Sequence, residues 1–372
     1  MKMKLNSKEL LERLQYLSGV VPTNSTLPIL ENFLFEFDEN NLKITASDLE
    51  STMTAKMEVE NLGLTNICIP SRLLIDILKS LPSQPIEITV LDNNTIEIVS
   101  SSGNYSIAYY PSEQFPKSVV LENPKSISLP LNVLDRAIKK TLFACGSDDL
   151  RPVMSSVLFQ MKTTGMTFVA TDAHRLVKYT RTDHFANDDI DFVVPKKPLG
   201  ILKGIISSIN SDEVEINFNS HNASFSFGDY NLTTRLVDGI YPNYEAVIPK
   251  NNPNQFNIST SEIISSLKRV SIFSNKQTHQ VALKQNNNEL TLLAEDVDYS
   301  TNGKEVLTCE PVNGEIQIGF NARFLLDALN NIDDDIVTIE TSVPNRAGIV
   351  KPETQEEGEE LLMLVMPVML KN

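Results

Sequence analysis

The hydrophobic positions of the chain follow two periods, one typical of helices and one typical of strands. Apolar residues recur every three or four positions in short segments, as in Leu10, Leu14 and Leu17. Other segments, such as 86–90 and 336–340, alternate apolar and polar residues as half-buried strands do. We therefore expect groups of strands between helices at 7–18, 71–81, 131–145, 196–209, 260–274 and 321–332.

Two sequence markers recur with nearly the same spacing. An aspartate that follows an apolar strand occurs at Asp48, Asp172 and Asp296, at intervals of 124 residues. A strand end that leads into a short helix recurs at intervals of 125 residues, at Pro70, Pro195 and Phe320. The markers predict three copies of one domain, at 1–122, 128–249 and 256–372. Each copy would hold two helices and about eight strands, an α+β fold with helices against antiparallel sheets.

Charge is distributed unevenly between these predicted elements. The chain carries a net charge of −16, yet the six helical segments hold 13 of its 32 Lys and Arg residues and only 6 of its 48 Asp and Glu residues. Lys and Arg are good helix formers and could simply occupy solvated faces, but Glu forms helices equally well, so its scarcity stays unexplained. The other interpretation is that the helices share a surface that meets nucleic-acid phosphates, independent of base sequence.

The sequence offers little that resembles an active site. It has no GxGxxG, GxxxxGK[ST], GxSxG or HExxH motif, and neither its histidines nor its cysteines have the spacing of a zinc site. We expect no cofactor and no metal. Two alternatives stay open: an enzyme whose groups converge from distant positions, with His174 and Asp172 as the obvious pair, and a repeat-built interaction scaffold that does not bind DNA.

Cysteine usage and hydropathy indicate a cytoplasmic protein. Cys68, Cys145 and Cys309 are odd in number, far apart and beside apolar neighbours, which predicts buried thiols in a reducing compartment. No apolar stretch reaches the length of ~18 residues that a membrane span needs, and the N-terminus lacks the apolar core of a secretion signal. We expect no membrane partner.

Four segments resemble a known family along the whole length of the chain. They are TLPIL at 26–30, TDAHRL at 171–176, LVDGIYP at 236–242 and VMPVML at 365–370. Together they resemble the bacterial DNA polymerase III beta subunit, the beta sliding clamp. The resemblance implies a head-to-tail homodimer that forms a closed ring around double-stranded DNA, a non-catalytic processivity factor of DNA replication.

The resemblance also implies three sets of functional residues. Phosphate contacts along the helices would come from Arg72, Lys79, Arg136, Lys139, Lys140, Lys196, Lys197, Lys203, Lys268, Arg269 and Arg323. A cleft for peptides of the replicative polymerase catalytic subunit, the clamp loader and other proteins with a clamp-binding motif would be lined by Thr171, His174, Arg175, Leu176, Pro242, Val247, Met366, Pro367, Val368 and Met369. The dimer interface would place Tyr105 and Ile107 against Ile272 and Phe273.

Some positions depart from the family pattern. Asn24 stands where many relatives have Arg, and Pro152 with Val153 replaces an aromatic pair. The tail continues beyond Leu370 with two further residues, and the acidic stretch 343–360 is expected to be a long solvated loop.

Overall fold

The computed structural model describes residues 2–38, 40–63, 65–91, 93–148 and 150–370. Each predicted helical segment contains a helix, and three of these helices are followed by a single 3₁₀ turn, at Leu142–Ala144, Ile206–Ser208 and Ser271–Phe273. The helices are α1 Ser7–Leu17, α2 Ser71–Ser80, α3 Leu131–Thr141, α4 Lys196–Ile205, α5 Thr260–Val270 and α6 Ala322–Leu329.

Side-chain caps and a buried apolar face explain where these helices form. The Asn6 side chain accepts a hydrogen bond from the backbone N–H of Lys8 at 2.9 Å, and Asn321 does the same for Arg323 at 2.9 Å. Such caps satisfy N–H groups that have no partner within the helix. The predicted stripe of Leu10, Leu14 and Leu17 is buried, and it is the face that α1 turns toward the core.

The strands occur in three groups along the chain. The first group is β1 Lys2–Asn6, β2 Asn32–Asp38, β3 Asn41–Ser47, β4 Ser51–Glu58, β5 Glu60–Leu62, β6 Ile67–Pro70, β7 Pro85–Val90, β8 Thr95–Ser100, β9 Gly103–Ala108 and β10 Tyr110–Pro111. The second is β11 Lys125–Pro130, β12 Ser156–Lys162, β13 Gly165–Thr171, β14 Arg175–Arg181, β15 Ile190–Pro195, β16 Glu213–Phe218, β17 Asn222–Phe227 and β18 Tyr230–Arg235. The third is β19 Asn254–Ser259, β20 Gln280–Asn286, β21 Glu289–Asp296, β22 Thr301–Thr308, β23 Glu310–Asn313, β24 Ile316–Asn321, β25 Ile336–Thr341, β26 Gly348–Pro352 and β27 Glu359–Val365.

The chain divides into two compact units, and the first combines residues up to 135 with 197–236. It contains a five-stranded sheet in the order β5-β1-β7-β8-β9 and a nine-stranded sheet in the order β10-β6-β2-β3-β4-β18-β17-β16-β11. All strand pairs are antiparallel, and the nine-stranded sheet is continuous because β4 pairs with β18, with Met53 opposite Leu232. Helices α1 and α2 pack against each other and bury Leu14 and Leu74.

The second unit combines residues 136–196 with residues from 237 onward. Its nine-stranded antiparallel sheet runs β15-β12-β13-β14-β27-β26-β25-β19-β23, and its four-stranded sheet runs β22-β21-β20-β24. The larger sheet is continuous because β14 pairs with β27, with Val177 opposite Met363. Helices α5 and α6 pack together, with Leu267 and Leu325 buried.

The three repeated aspartates cap turns. Asp48 Oδ1 accepts hydrogen bonds from the N–H groups of Glu50 and Ser51, and Asp296 Oδ1 accepts one from the N–H of Asp298. Asp172 accepts two in the same way, as described below for the site. A carboxylate that satisfies turn N–H groups explains why the aspartate recurs with the repeat.

The acidic stretch 343–360, expected to be a long solvated loop, is not one long loop, because strand β26 forms inside it at Gly348–Pro352.

The three cysteines are buried and free. Burial raises the pKa of the Cys68 and Cys145 thiols to about 12, so these two are not reactive thiolates. Within the described residues no helix is long and apolar enough to cross a membrane. The two-residue extension beyond Leu370 lies outside the described residues.

Candidate functional site

The hairpin between β13 and β14 forms a rigid corner at the predicted cleft. Asp172 Oδ1 accepts hydrogen bonds from the N–H groups of His174 at 2.9 Å and Arg175 at 3.0 Å. The Thr171 hydroxyl donates to the carbonyl oxygen of Arg175 at 2.7 Å, and Ala173 adopts a φ of 75°. These bonds hold the turn closed and present the carbonyl oxygen of His174 at its tip.

The C-terminal segment, residues 366–370, begins at this tip. Met366 donates its N–H to the carbonyl oxygen of His174 at 2.8 Å, and Val368 donates to the carbonyl oxygen of Gly319 at 2.8 Å. Between them Pro367 forms an isolated bridge with Phe320 of β24. The side chains of Met366 and Met369 are 40% and 65% exposed, so the segment presents flexible apolar groups to the surface.

An apolar cluster lies on the sheet beside this corner. Leu176 is buried with Leu158 and Leu364, and the partly buried Tyr241 packs against them from the connector that precedes β19. Tyr241 donates its hydroxyl proton to the carbonyl oxygen of Val169 at 3.2 Å, and burial raises the pKa of that hydroxyl. Tyr241 therefore fixes the connector on the sheet. Pro242 and Val247 of the same connector are exposed, so the connector presents apolar side chains to the surface.

Arg175, predicted to line the cleft, is bonded to several groups within the second unit. Its side chain is only 12% exposed, and the guanidinium bonds to Asp172 at 3.0 Å, to the carbonyl oxygen of Phe143 at 2.7 Å and to Asp327 of α6. It also lies over the ring of Phe324, with 5.0 Å from Cζ to the centroid. With these partners the guanidinium braces the hairpin against α6, and we do not include Arg175 among the groups proposed to meet a ligand.

Phe324 is a site residue that the sequence reasoning missed. The ring of His174 stacks on it with centroids 5.7 Å apart and planes inclined by 12°. The available signal was an aromatic residue next to Arg323, in the first turn of a helix with polar neighbours. The stacking also argues against the enzyme alternative. Asp172 is engaged by turn N–H groups and by Arg175, and the His174 ring lies on Phe324, so the two do not form an acid–base pair.

Eight of the predicted phosphate contacts are exposed: Arg72, Lys79, Lys139, Lys197, Lys203, Lys268, Arg269 and Arg323. Among them, Lys197 is ion-paired with Asp48, and Arg269 is ion-paired with Glu305 at 2.6 Å. The Arg269 contact lowers the pKa of the Glu305 carboxyl to about 2. The side chains of Lys197 and Arg269 are more than half exposed, and ion pairs of cations at such exposure contribute little to stability.

The other three predicted contacts, one of them buried and two partly exposed, are bonded to groups of the second unit. Lys140 is 5% exposed and donates to the carbonyl oxygen of Asn331 at 2.6 Å. The ammonium of Lys196 donates to the carbonyl oxygens of Cys145 at 3.1 Å and Gly146 at 3.3 Å. Arg136 bonds to acidic groups, as described next. A phosphate would have to displace these hydrogen bonds, so we do not include the three residues among the proposed phosphate contacts.

A cluster of charges fixes the start of β27. Glu359, whose side chain is 7% exposed, accepts from Nε of Arg136 at 2.5 Å and from Nη1 of Arg181 at 3.1 Å. Arg136 also bonds to Asp333 at 2.7 Å. Partial burial alone would lower the pKa of Arg136, but its hydrogen bonds to these carboxylates outweigh that effect and raise it. Arg181 and Glu359 are paired at one end of β14 and β27, whereas Arg175 and Val365 are paired at the cleft end.

The predicted dimer residues lie on β9 and after α5. Ile272 and Phe273 are 67% and 39% exposed, and Tyr105 is half-buried. Ile107 is only 3% exposed within the single chain, so its side chain belongs to the core of the first unit rather than to an open apolar surface. Phe273 packs on Gly303 of β22, where an added Cβ would lie 2.5 Å from the ring.

Among the described residues, no group of three His, Cys, Asp or Glu side chains could hold a metal ion.

Comparison with known proteins identifies the family. Models of the DNA polymerase III beta subunit match as its N-terminal domain at residues 1–119, its central domain at 128–243 and its C-terminal domain at 245–367. The beta sliding clamp of Proteus mirabilis is 30% identical over 89% of this chain and 90% of its own length. That of Synechocystis is 30% identical over 100% of both chains.

Solved structures agree with this result over the whole chain. The sliding clamp of Pseudomonas aeruginosa bound to griselimycin is 27% identical, with a TM-score of 0.93 and 100% coverage of both chains. The clamp of Bartonella birtlesii bound to griselimycin is 26% identical, with a TM-score of 0.91 and the same coverage. The chain belongs to the DNA polymerase III beta subunit family, the non-catalytic sliding clamps that act as processivity factors in DNA replication.

Proposed function

We propose that two copies of this chain close head to tail into a ring around duplex DNA through strands β9 and β22. The observation that carries this proposal is the pattern of strand pairing. β4 pairs with β18 in the first unit, and β14 pairs with β27 in the second. β22 is the third-repeat counterpart of β4 and β14, and β9 is the first-repeat counterpart of β18 and β27. Each of these two strands ends its sheet, so the same pairing between two copies would complete the series.

The repeat also supplies a register for this pairing. Met53, Val177 and Gly303 are equivalent, because each stands opposite an alanine that lies two residues before the turn aspartate. Comparing the paired residues of the last two strands in each repeat in the same way, Tyr105 of β9 takes the position of Leu232 in β18 and Met363 in β27. Since Met53 faces Leu232 and Val177 faces Met363, we expect Gly303 to face Tyr105 of a second copy.

The alternation of exposed side chains along the two strands is consistent with this register. Gly303 and Glu305 of β22 are half-buried, and so are Gly103 and Tyr105 of β9. In each strand the residue between the two half-buried ones is exposed, as Asn104 is in β9. The register therefore places inward residues opposite inward residues. A shift by one residue would put inward residues opposite outward ones. The glycine leaves room for the Tyr105 ring beside Phe273, and Ile272 next to it would lose its exposed apolar surface.

The phosphate-facing surface is proposed to consist of the exposed helix cations. Arg72, Lys79, Lys139, Lys197, Lys203, Lys268, Arg269 and Arg323 would line the hole of the ring and meet the duplex without reading bases. The remainder of the chain is strongly acidic, which repels DNA from other surfaces. Retention would then be topological, so each contact can stay weak and sliding can be fast.

Family membership implies DNA, the polymerase, the clamp loader and a second copy as partners. We propose that short peptides ending in Leu and Phe, from the replicative polymerase catalytic subunit, the clamp loader and other proteins with a clamp-binding motif, enter the cleft. Its walls would be Thr171, His174, Leu176, Pro242, Val247, Met366, Pro367, Val368 and Met369. Methionines suit a groove that accepts several partners, because their side chains adapt to different shapes.

We also propose a cytoplasmic location and three domains with limits at 1–122, 128–249 and 256–372.

Sedimentation equilibrium tests ring closure. The expected mass is twice the 41.5 kDa of the chain, and it should fall toward one chain when the β9–β22 pairing is disrupted. A monomeric wild-type protein at micromolar concentration would contradict the ring and favour an interaction scaffold that does not encircle DNA.

A further inference from the structure

β24 contains a glycine where the other two repeats have a residue with a side chain. In the pairing registers Gly319 takes the place of Val193 in the second repeat and Cys68 in the first, and both of these are buried. Glycine inside a strand weakens it, since it loses more backbone freedom on folding and packs no side chain. A glycine in the third repeat alone therefore indicates that something approaches the strand closely.

The C-terminal segment, residues 366–370, is what approaches. The N–H of Val368 donates to the carbonyl oxygen of Gly319 at 2.8 Å. A Cβ at Gly319 would overlap the carbonyl oxygen of Val368 and lie 2.8 Å from Cδ2 of Leu370. Leu370 lines a shallow cavity together with Ala282 and Leu293, the residues that continue the row of Gly319 across β20 and β21.

Few bonds hold this segment in place. Met366 is anchored to the carbonyl oxygen of His174 at one end, and Val368 to that of Gly319 at the other. Pro367, which has no N–H, lies between them opposite Phe320. The position of the segment therefore depends on how closely it can approach Gly319.

We propose that Gly319 is a positioning residue for the cleft. The absence of a side chain at Gly319 lets the C-terminal segment dock on β24, and this docking sets the wall against which partner peptides pack. The inference rests on the proposed peptide-binding function of the cleft, and Gly319 itself need not touch the peptide.

The test restores the β-branched residue of the second repeat with Gly319→Val. The matched control is Gly204→Ala, where an added Cβ meets nothing within 4 Å. Hydrogen exchange of C-terminal peptic fragments reports docking, and fluorescence anisotropy with a synthetic peptide ending in Leu-Phe reports affinity. We expect Gly319→Val to remove the exchange protection of Val368 and to weaken peptide binding about tenfold, whereas Gly204→Ala changes neither.

A chain that lacks residues 367–372 completes a double-mutant cycle and remains informative if Gly319→Val fails to fold. This truncation should weaken peptide binding at least as much as Gly319→Val, and adding Gly319→Val to it should cause no further loss. Unchanged protection of Val368, an equal effect of Gly319→Val in both backgrounds, or full peptide affinity after truncation would overturn the inference. Failure of the proposed cleft itself is a different result, in which Leu176→Ala and His174→Ala also leave peptide affinity unchanged.

Discussion

The ring of His174 lies nearly parallel to the ring of Phe324, with 5.7 Å between their centroids. The contact joins the hairpin that opens the cleft to helix α6, and it sets the orientation of the His174 side chain. We expect Phe324→Ala to lower peptide affinity about fivefold, because an unsupported imidazole becomes mobile. Fluorescence anisotropy with a peptide ending in Leu-Phe measures this change.

Two controls separate the contact from a general effect. Phe185→Ala removes an aromatic side chain that is 57% exposed in the same unit, and it should leave peptide affinity unchanged. Adding Phe324→Ala to His174→Ala should give little further loss, since the two rings act together. Additive losses would show that Phe324 acts independently of His174.

Glu359→Gln should destabilise the second unit. The change keeps the shape of the side chain but removes the negative charge that the almost fully buried Glu359 carboxylate places beside Arg136 and Arg181. Breaking such a pair by removing one partner costs about 3–5 kcal/mol when both groups are buried, and about half of that is expected for partly exposed arginines. Urea unfolding measures the loss, and Glu357→Gln in the exposed acidic stretch is the matched control. Equal stability of the two variants would contradict a structural role for the cluster.

Acid should weaken the second unit through Asp183. The guanidinium of Arg181 donates to Asp183 at 2.6 Å and holds the pKa of that carboxyl far below its usual range. A lowered carboxyl pKa contributes stability above the ordinary value of about 4, and that contribution is lost as pH falls toward the folded value. We expect Asp183→Asn to lower the melting temperature at pH 7 and to flatten its fall between pH 5 and pH 2. Parallel profiles for the variant and the wild type would contradict this assignment.

Ring closure should depend on Tyr105 and Phe273. Tyr105→Ala or Phe273→Ala removes the aromatic packing that we expect around Gly303, so the dimer should dissociate at least about tenfold more readily. Sedimentation measured over a concentration series gives the dissociation constant. Tyr299→Ala serves as control, because Tyr299 is 74% exposed and lies outside β22. A dimer as stable as the wild type in both interface variants would rule out the proposed register.

Lys203 and Lys140 should behave differently. Lys203 is exposed, so Lys203→Ala should shorten retention on DNA and reduce the slope of log affinity against log salt by about 0.9 for each phosphate that the variant leaves without a cation. Lys140 is buried against Asn331 and Asp333, so Lys140→Ala should lower the unfolding free energy with little effect on that slope. Identical effects on DNA retention would show that burial does not separate the two classes.

Local patterns determined which features the sequence could predict. The helices could be predicted from the spacing of apolar residues and from nearby caps such as Asn6. The turn-capping role of Asp48 could be predicted because an aspartate recurs at that place in every repeat. In both cases the hydrogen bonds join residues that are close in sequence. The role of Lys140 was missed because its partner Asn331 is 191 residues away. The bracing contact of Arg175 was not predicted for the same reason, since Asp327 lies 152 residues away. A basic residue on a helix has the same local sequence pattern whether its charge meets solvent or a buried carbonyl oxygen.

The topology of DNA binding is the central claim, and loading on circular DNA tests it most directly. The chain is loaded by a clamp loader onto a nicked circular duplex, separated from free protein by gel filtration, and followed after a restriction enzyme linearises half of the sample. We predict slow loss from the nicked circle and rapid loss from the linear duplex, because only free ends let a closed ring slide off. Equal rates of loss from both would contradict encirclement.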